Sequence, residues 1–205
     1  MMKNESSFAW ERNKDSILQV LKEVITNDNK RVLEIGSGSA QHAVYFAKNL
    51  KDIVWTTSDI ISTHEQIKTV LNNAKLSNLR GPLAFEVGKD NFPKYNYDIV
   101  FTANTFHIMS WKQCKNLMKI LGNRLREGSQ VIIYGPFNYE GKFTSDSNYL
   151  FDQELKQQDP LRGIRSFEDI NKNMKKNGFE LFKDYEMPAN NRMLVFTRLV
   201  FMNSL

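Results

Sequence analysis

Apolar positions along the chain follow two alternating rhythms. Short apolar runs bounded by polar turns predict strands near residues 31–35, 53–58, 83–87, 97–102 and 130–135. Between and before them the apolar residues recur at helical spacing. The first such stretch runs from Ser16 to Ile25 and is separated from the first strand by a polar loop, Asn27 to Lys30. Alternation of this kind predicts a parallel sheet covered by helices. Two helix starts carry the spacing of a capping box, Ser62 with Glu65 and Ser110 with Gln113. Ser166 is a candidate cap for a helix over 167–177, and Gly178 a candidate stop.

After Tyr134 the rhythm breaks. Gly135-Pro136-Phe137 opens a polar, aromatic-containing stretch over 138–165, longer than an ordinary connection, and such an insertion is expected to cover a site. Strand character returns at 180–186 and 193–199, and the short link from Met187 to Arg192 predicts that this pair is antiparallel. With no repeat, low-complexity tract or linker in the chain, one domain is expected over 1–205. Residues 1–30 would form an amino-terminal cap-helix region and 138–165 a lid.

Composition acts mainly by exclusion. A chain of 205 residues that is 41% hydrophobic can bury one substantial core. The formal charge of +5 is spread among acidic residues, so nucleic acid is not the expected partner. A single cysteine, Cys114, rules out an internal disulfide framework and a multi-cysteine metal centre; no metal is expected, and a reducing, cytoplasmic setting is. No apolar run is long enough to span a bilayer, and Met1 to Ser7 lacks the apolar region of a secretion signal.

The chemistry concentrates where the first strand meets a glycine turn, in Val32-Leu33-Glu34-Ile35-Gly36-Ser37-Gly38. Glycine can take positive φ without steric penalty, and a missing side chain lets a ligand approach the backbone. Asp59 ends the second strand, at the distance where a carboxylate grips ribose hydroxyls. Together these residues point to an adenosine-type ligand. A dinucleotide fingerprint would have glycine at position 41, which is Gln41 here. Glu34 would also repel a pyrophosphate while suiting a ligand that carries an ammonium and a sulfonium.

These blocks, with Tyr97-Asp98-Ile99-Val100-Phe101-Thr102-Ala103-Asn104-Thr105-Phe106-His107 around strand four, resemble class I S-adenosylmethionine-dependent methyltransferases. More narrowly, Tyr134-Gly135-Pro136-Phe137, Ser147-Asn148, Asp159-Pro160, Gly163-Ile164-Arg165 and Met187-Pro188-Ala189-Asn190-Asn191 are similar to a little-characterised family of methyltransferase-like proteins. The resemblance implies an α/β, doubly wound, Rossmann-like fold. Its seven-stranded, mostly parallel sheet would have an antiparallel last strand, and S-adenosyl-L-methionine would be the cofactor. Ala40 departs from it, standing where the general family often has a third glycine.

On this reading Glu34, Gly36, Gly38, Asp59 and Asn104 bind the cofactor, with Arg12 and Asn13 folding over it. Glu86 and Asp90 both remain candidates for the adenine neighbourhood. His107 is the first candidate for a catalytic base, since it follows strand four at the carboxyl edge of the sheet. Tyr134 is a second catalytic candidate. Asn148, Arg165, Asn190 and Asn191 are candidates for the acceptor, which is expected to be a small molecule. Arg162 and Arg165 could hold an acidic acceptor or form local ion pairs. The alternatives are a nicotinamide-dependent oxidoreductase, a non-catalytic protein that binds the cofactor or a partner, and an RNA or protein acceptor.

Overall fold

The computed structural model describes residues 6–25 and 31–200. The chain runs α1 (Ser6–Val24), β1 (Arg31–Ile35), α2 (Gln41–Asn49), β2 (Val54–Asp59), α3 (His64–Ala74), β3 (Leu79–Ala84), β4 (Ile99–Ala103), α4 (Trp111–Arg124) and β5 (Gln130–Gly135). It continues through β6 (Phe137–Asn138), α5 (Asp146–Gln158), β7 (Arg165–Ser166), α6 (Phe167–Lys176), β8 (Phe179–Met187) and β9 (Asn191–Arg198). Among the described residues, seven strands form one sheet in the order β3-β2-β1-β4-β5-β9-β8, with β1 to β5 parallel and β8 and β9 antiparallel. This is the expected doubly wound arrangement.

The central strands are apolar throughout because both faces are covered. Val32, Trp55, Phe101, Ile132 and Tyr134 point to the side occupied by α1, α2 and α3. Leu33, Ile35, Val100, Val131 and Ile133 point to the opposite side, with Leu117, Met118 and Met174 of α4 and α6. Strand order reverses between β1 and β4, which leaves a crevice at the carboxyl ends of the strands.

Three boundaries differ from expectation. The helix predicted from Ser16 begins at Ser6, and its added turns dock on α2: Trp10 lies edge-on to His42 at 6.4 Å, and Lys14 sits 5.3 Å over the Tyr45 ring. The third strand spans Leu79–Ala84 rather than 83–87. Phe85 and Val87 are buried as expected, but in the segment that leaves the sheet, so their burial does not mark the ladder. The Ser62–Glu65 capping box does not form. Residues Ile61–Thr63 make a single 3-10 turn, α3 starts at His64 with Thr63 as its cap residue, and Glu65 pairs with Lys68 instead. The Ser110–Gln113 box is complete, and Ser166 accepts from the Asp169 amide.

The β8–β9 hairpin turns through Ala189 and Asn190, both at positive φ (57° and 56°), the pair of conformations a primed turn requires. Asparagine tolerates this region and alanine does not. Ala189→Gly is therefore expected to stabilise the protein by about 0.5–1 kcal/mol, the left-handed penalty of alanine less the extra chain entropy of glycine. Thermal unfolding that is unchanged or lowered in this variant would contradict that account of the turn.

Candidate functional site

The end of β1 and the turn behind it are tied together from beneath. Glu34 is only 2% exposed, and one of its carboxyl oxygens accepts from the Ser37 hydroxyl (3.0 Å) and the Trp55 indole N–H (3.1 Å). Burial pushes its pKa up to about 7, against the lowering effect of those two hydrogen bonds. Ser37 and Ser58, not singled out in the sequence, lock the turn to β2. The Ser58 amide donates to the Ser37 hydroxyl oxygen, the Ser58 hydroxyl to the Glu34 carbonyl, and the Gly36 and Ser37 amides to the Ser58 carbonyl. Small hydroxyl side chains at facing strand ends were the available signal for this lock.

Gly36 has φ 71°, and a Cβ added there would lie 2.5 Å from Cγ2 of Thr105. The strand-four loop therefore packs directly on the turn. Gly38 is the opposite case, since a Cβ there would meet nothing within 4 Å, so the surface beyond it is open. Its amide donates to the Asp59 carboxylate at 2.7 Å, and the other Asp59 oxygen accepts from the Ile60 amide at 2.7 Å. Each oxygen keeps a second acceptor direction, so Asp59 can still take two further donors. Ala40, at φ 58°, stands in left-handed backbone before α2, the conformation a third glycine would adopt freely.

Across the crevice, Asn104 also has positive φ (58°) and donates its amide to the Tyr134 carbonyl. A Cβ on Gly135 would sit 3.7 Å from Asn104 Oδ1 and 3.8 Å from His107 Nδ1, so these two side chains converge over Gly135. His107 is buried, with Phe151 of α5 edge-on to its ring at 5.2 Å. Burial lowers its pKa to about 4, and the charges of Arg165 and Arg162 push in the same direction. The imidazole is thus neutral at pH 7. Tyr134 is fully buried on the α1 side, where burial raises its pKa and its hydroxyl interacts with the Asn13 side chain.

Asn13 and Arg12 separate sharply. Asn13 is buried and its Oδ1 meets His42 Nε2 at 2.7 Å, tying α1 to the start of α2; Arg12 is exposed. Burial also lowers the pKa of His42 to about 4. Glu86 and Asp90 belong to one local turn, where Asp90 accepts from the Glu86 amide and Glu86 pairs with Lys89.

The insertion is built around α5, capped by Ser145, and closed at its base by the parallel pairing of β6 with β7. Asn148 is buried and donates to Thr144 Oγ1 (2.8 Å) and to the Asn190 carbonyl (3.2 Å), which ties the insertion to the β8–β9 turn. The Asn191 side chain donates to the Pro188 carbonyl within that turn. Arg165 donates to the carbonyls of Phe106 (3.0 Å), Leu161 (2.7 Å) and Met109, so its guanidinium braces the loop that carries His107. The structure therefore gathers Glu34, Gly36, Gly38, Asp59, Asn104 and His107 at one edge. It places Asn148, Asn190 and Asn191 together in the seam between the insertion and the hairpin.

Comparison with solved structures shows the same fold in methyltransferases of low sequence identity. The apo form of the S-adenosylmethionine-dependent methyltransferase SibL matches with a TM-score of 0.75 and 21% identity, over 91% of this chain and 56% of that one. Human N-acetylserotonin methyltransferase, solved in complex with SAM, matches at 0.77 and 15% identity, over 94% and 53%. An O-methyltransferase family protein from Burkholderia thailandensis matches at 0.79 and 10% identity, over 92% and 57%. The chain thus spans a little over half the length of these proteins. At such identities the likeness shows a shared Rossmann-like methyltransferase fold. Among the described residues, no helix is long and apolar enough to cross a membrane. The family model described as "Protein of unknown function (DUF938)" matches residues 4–198, and the chain belongs to that family.

Proposed function

We propose that the protein transfers a methyl group from S-adenosyl-L-methionine to a small acceptor covered by the lid. The observation that carries this reading is the carboxylate of Asp59 bonded to the Gly38 amide, with open space beyond Gly38. That is the shape and chemistry a ribose diol requires: two acceptor oxygens held rigidly beside a backbone that can be closely approached. Glu34 sets a buried carboxyl behind the turn, and a ligand with cationic groups would favour its ionised form where a pyrophosphate would oppose it. The bound cofactor would supply an electrophilic methyl on a sulfonium, and the protein's part is alignment of the acceptor.

His107 is the group available to take a proton from an oxygen or nitrogen acceptor. It is neutral at physiological pH, and its Nδ1 faces the convergence over Gly135. Asn104 shares that position and would orient the reacting groups. The lid's fixed seam with the β8–β9 turn leaves a covered site suited to a small molecule. A reducing, cytoplasmic setting fits the single buried thiol, Cys114.

The test is titration calorimetry with S-adenosylmethionine and S-adenosylhomocysteine. Both are expected to bind, and Asp59→Ala is expected to weaken binding roughly 10- to 150-fold, the scale of a lost charged hydrogen bond of about 1.5–3 kcal/mol. Failure of the unaltered, folded protein to bind either compound at high micromolar concentration would end the reading. Unchanged affinity in Asp59→Ala would show that the ribose is held elsewhere.

A further inference from the structure

The lid presents a charge that the protein itself does not neutralise. Arg162 and Arg165 both lie beside His107, and among the described residues neither guanidinium forms an ion pair with a carboxylate. The nearby acids are otherwise engaged. Asp152 accepts from the Ile164 amide at 2.8 Å and pairs with Lys156 at 2.5 Å, while Asp159 accepts from the Leu161 amide. The Gly163 amide donates to the His107 carbonyl at 3.0 Å, which holds the Asp159–Gly163 turn, and Arg162 with it, against the histidine loop.

The two arginines differ in what they have left to give. Arg165 engages three of its five N–H groups, on Nε and Nη2, with three backbone carbonyls. Arg162 donates once, from Nη1 to the Gln158 side chain at 3.0 Å, and its Nε is buried with no acceptor. A buried N–H of a permanently charged group is costly to leave unpaired, and guanidinium presents parallel donors that match a carboxylate. Aromatic surface stands close by, with Phe151 against the His107 ring.

We propose that the methyl acceptor is a small carboxylate, gripped through its carboxyl group by Arg162 beside His107. The proposal rests on the methyl-transfer reading for the word acceptor, but the carboxylate site stands on its own geometry. It also completes the base. The arginine charges that weaken His107 as a proton acceptor would be offset by a bound anion, so His107 gains basicity only when the acceptor is in place.

The experiment compares benzoate and hexanoate with benzamide and hexanamide by saturation-transfer NMR, on protein with and without S-adenosylhomocysteine. The imidazole of His107 is followed by NMR pH titration in parallel. The carboxylates are expected to bind at least tenfold more tightly than their amides, and to move the His107 titration to higher pH. Arg162→Gln should erase that preference while leaving the Kd for S-adenosylhomocysteine within twofold. Lys175→Gln, on the exposed face of α6, should change nothing. Equal binding of acids and amides, no binding of either up to their solubility, or a preference that survives Arg162→Gln would overturn the proposal. If Arg162→Gln fails to fold, the acid–amide comparison and the His107 shift on the unaltered protein decide. Carboxylate binding that depends on Arg162, without binding of S-adenosylhomocysteine, would uphold the site and refute the methyl-transfer reading.

Discussion

Gly36→Ala is expected to lower folding stability by about 3 kcal/mol, and Thr105→Ser to recover roughly half of that loss. Two penalties add at this residue. An alanine held at φ 71° costs about 1–2 kcal/mol relative to glycine. The new Cβ would also lie 2.5 Å from Thr105 Cγ2, an overlap that forces the strand-four loop away from the turn at a cost of roughly 1–3 kcal/mol. Thr105→Ser deletes Cγ2 but keeps the hydroxyl that meets Thr102. In that background only the backbone penalty, about 1–2 kcal/mol, should persist. A double-mutant cycle by urea denaturation measures the coupling. Additive effects of the two substitutions would show that the turn and the strand-four loop do not touch as described.

Glu34→Gln should stabilise the protein at pH 8 by up to about 3 kcal/mol and leave it unchanged near pH 4.5. The carboxyl titrates near 4.5 when unfolded and at about 7 when folded, because burial disfavours its charge. A raised carboxyl contributes stability that is complete below the unfolded value and lost as pH rises through the folded one, at about 1.4 kcal/mol per pH unit. Glutamine keeps an oxygen for Ser37 and Trp55 and has no charge to desolvate.

The two buried histidines act in the opposite sense. His42 and His107 have their pKa lowered to about 4, so they support the fold above pH 6.5 and weaken it as the pH falls toward 4. Between pH 4.5 and 6.5 the unfolded chain therefore holds two protons on the histidines and the folded chain one on Glu34. Stability should climb with pH at about 1.4 kcal/mol per unit in the unaltered protein and twice as steeply in Glu34→Gln. Chemical denaturation at three pH values across that window checks the slopes. Equal slopes would show that Glu34 is not protonated in the fold.

A buried carboxyl that costs stability at neutral pH is the kind of feature retained for a site rather than for the fold. Its position behind the glycine turn sets a carboxyl that ionises only near pH 7 beside the crevice without occupying it. The buried Nε–H of Arg162 has no hydrogen-bond partner among the described residues.

The strand–helix alternation, the glycine turn, the carboxylate after β2 and the antiparallel final pair were all legible along the chain. Each rests on local physics: period-two or helical spacing, a residue without Cβ where φ is positive, or a link too short for a crossover. The third strand was misplaced because burial of Phe85 and Val87 looks the same in sequence whether or not the backbone lies in a ladder. The Ser62–Glu65 box failed because the chain leaving Asp59 makes a 3-10 turn before α3, which spacing alone does not encode.

Long-range contacts decided the rest, because neither hydrogen-bond competition nor desolvation is a local property. They bury Asn13 and leave its neighbour Arg12 exposed, and they commit Arg165 to backbone carbonyls while leaving the Arg162 Nε unpaired. They turn Glu34 and His107 from an ordinary acid and base into a carboxyl that keeps its proton to about pH 7 and an imidazole that stays neutral down to about pH 4. The amino-acid order carried the strand, glycine turn and carboxylate of the candidate site; which side chains keep free charge and donors there depended on residues far apart in sequence meeting in the folded chain.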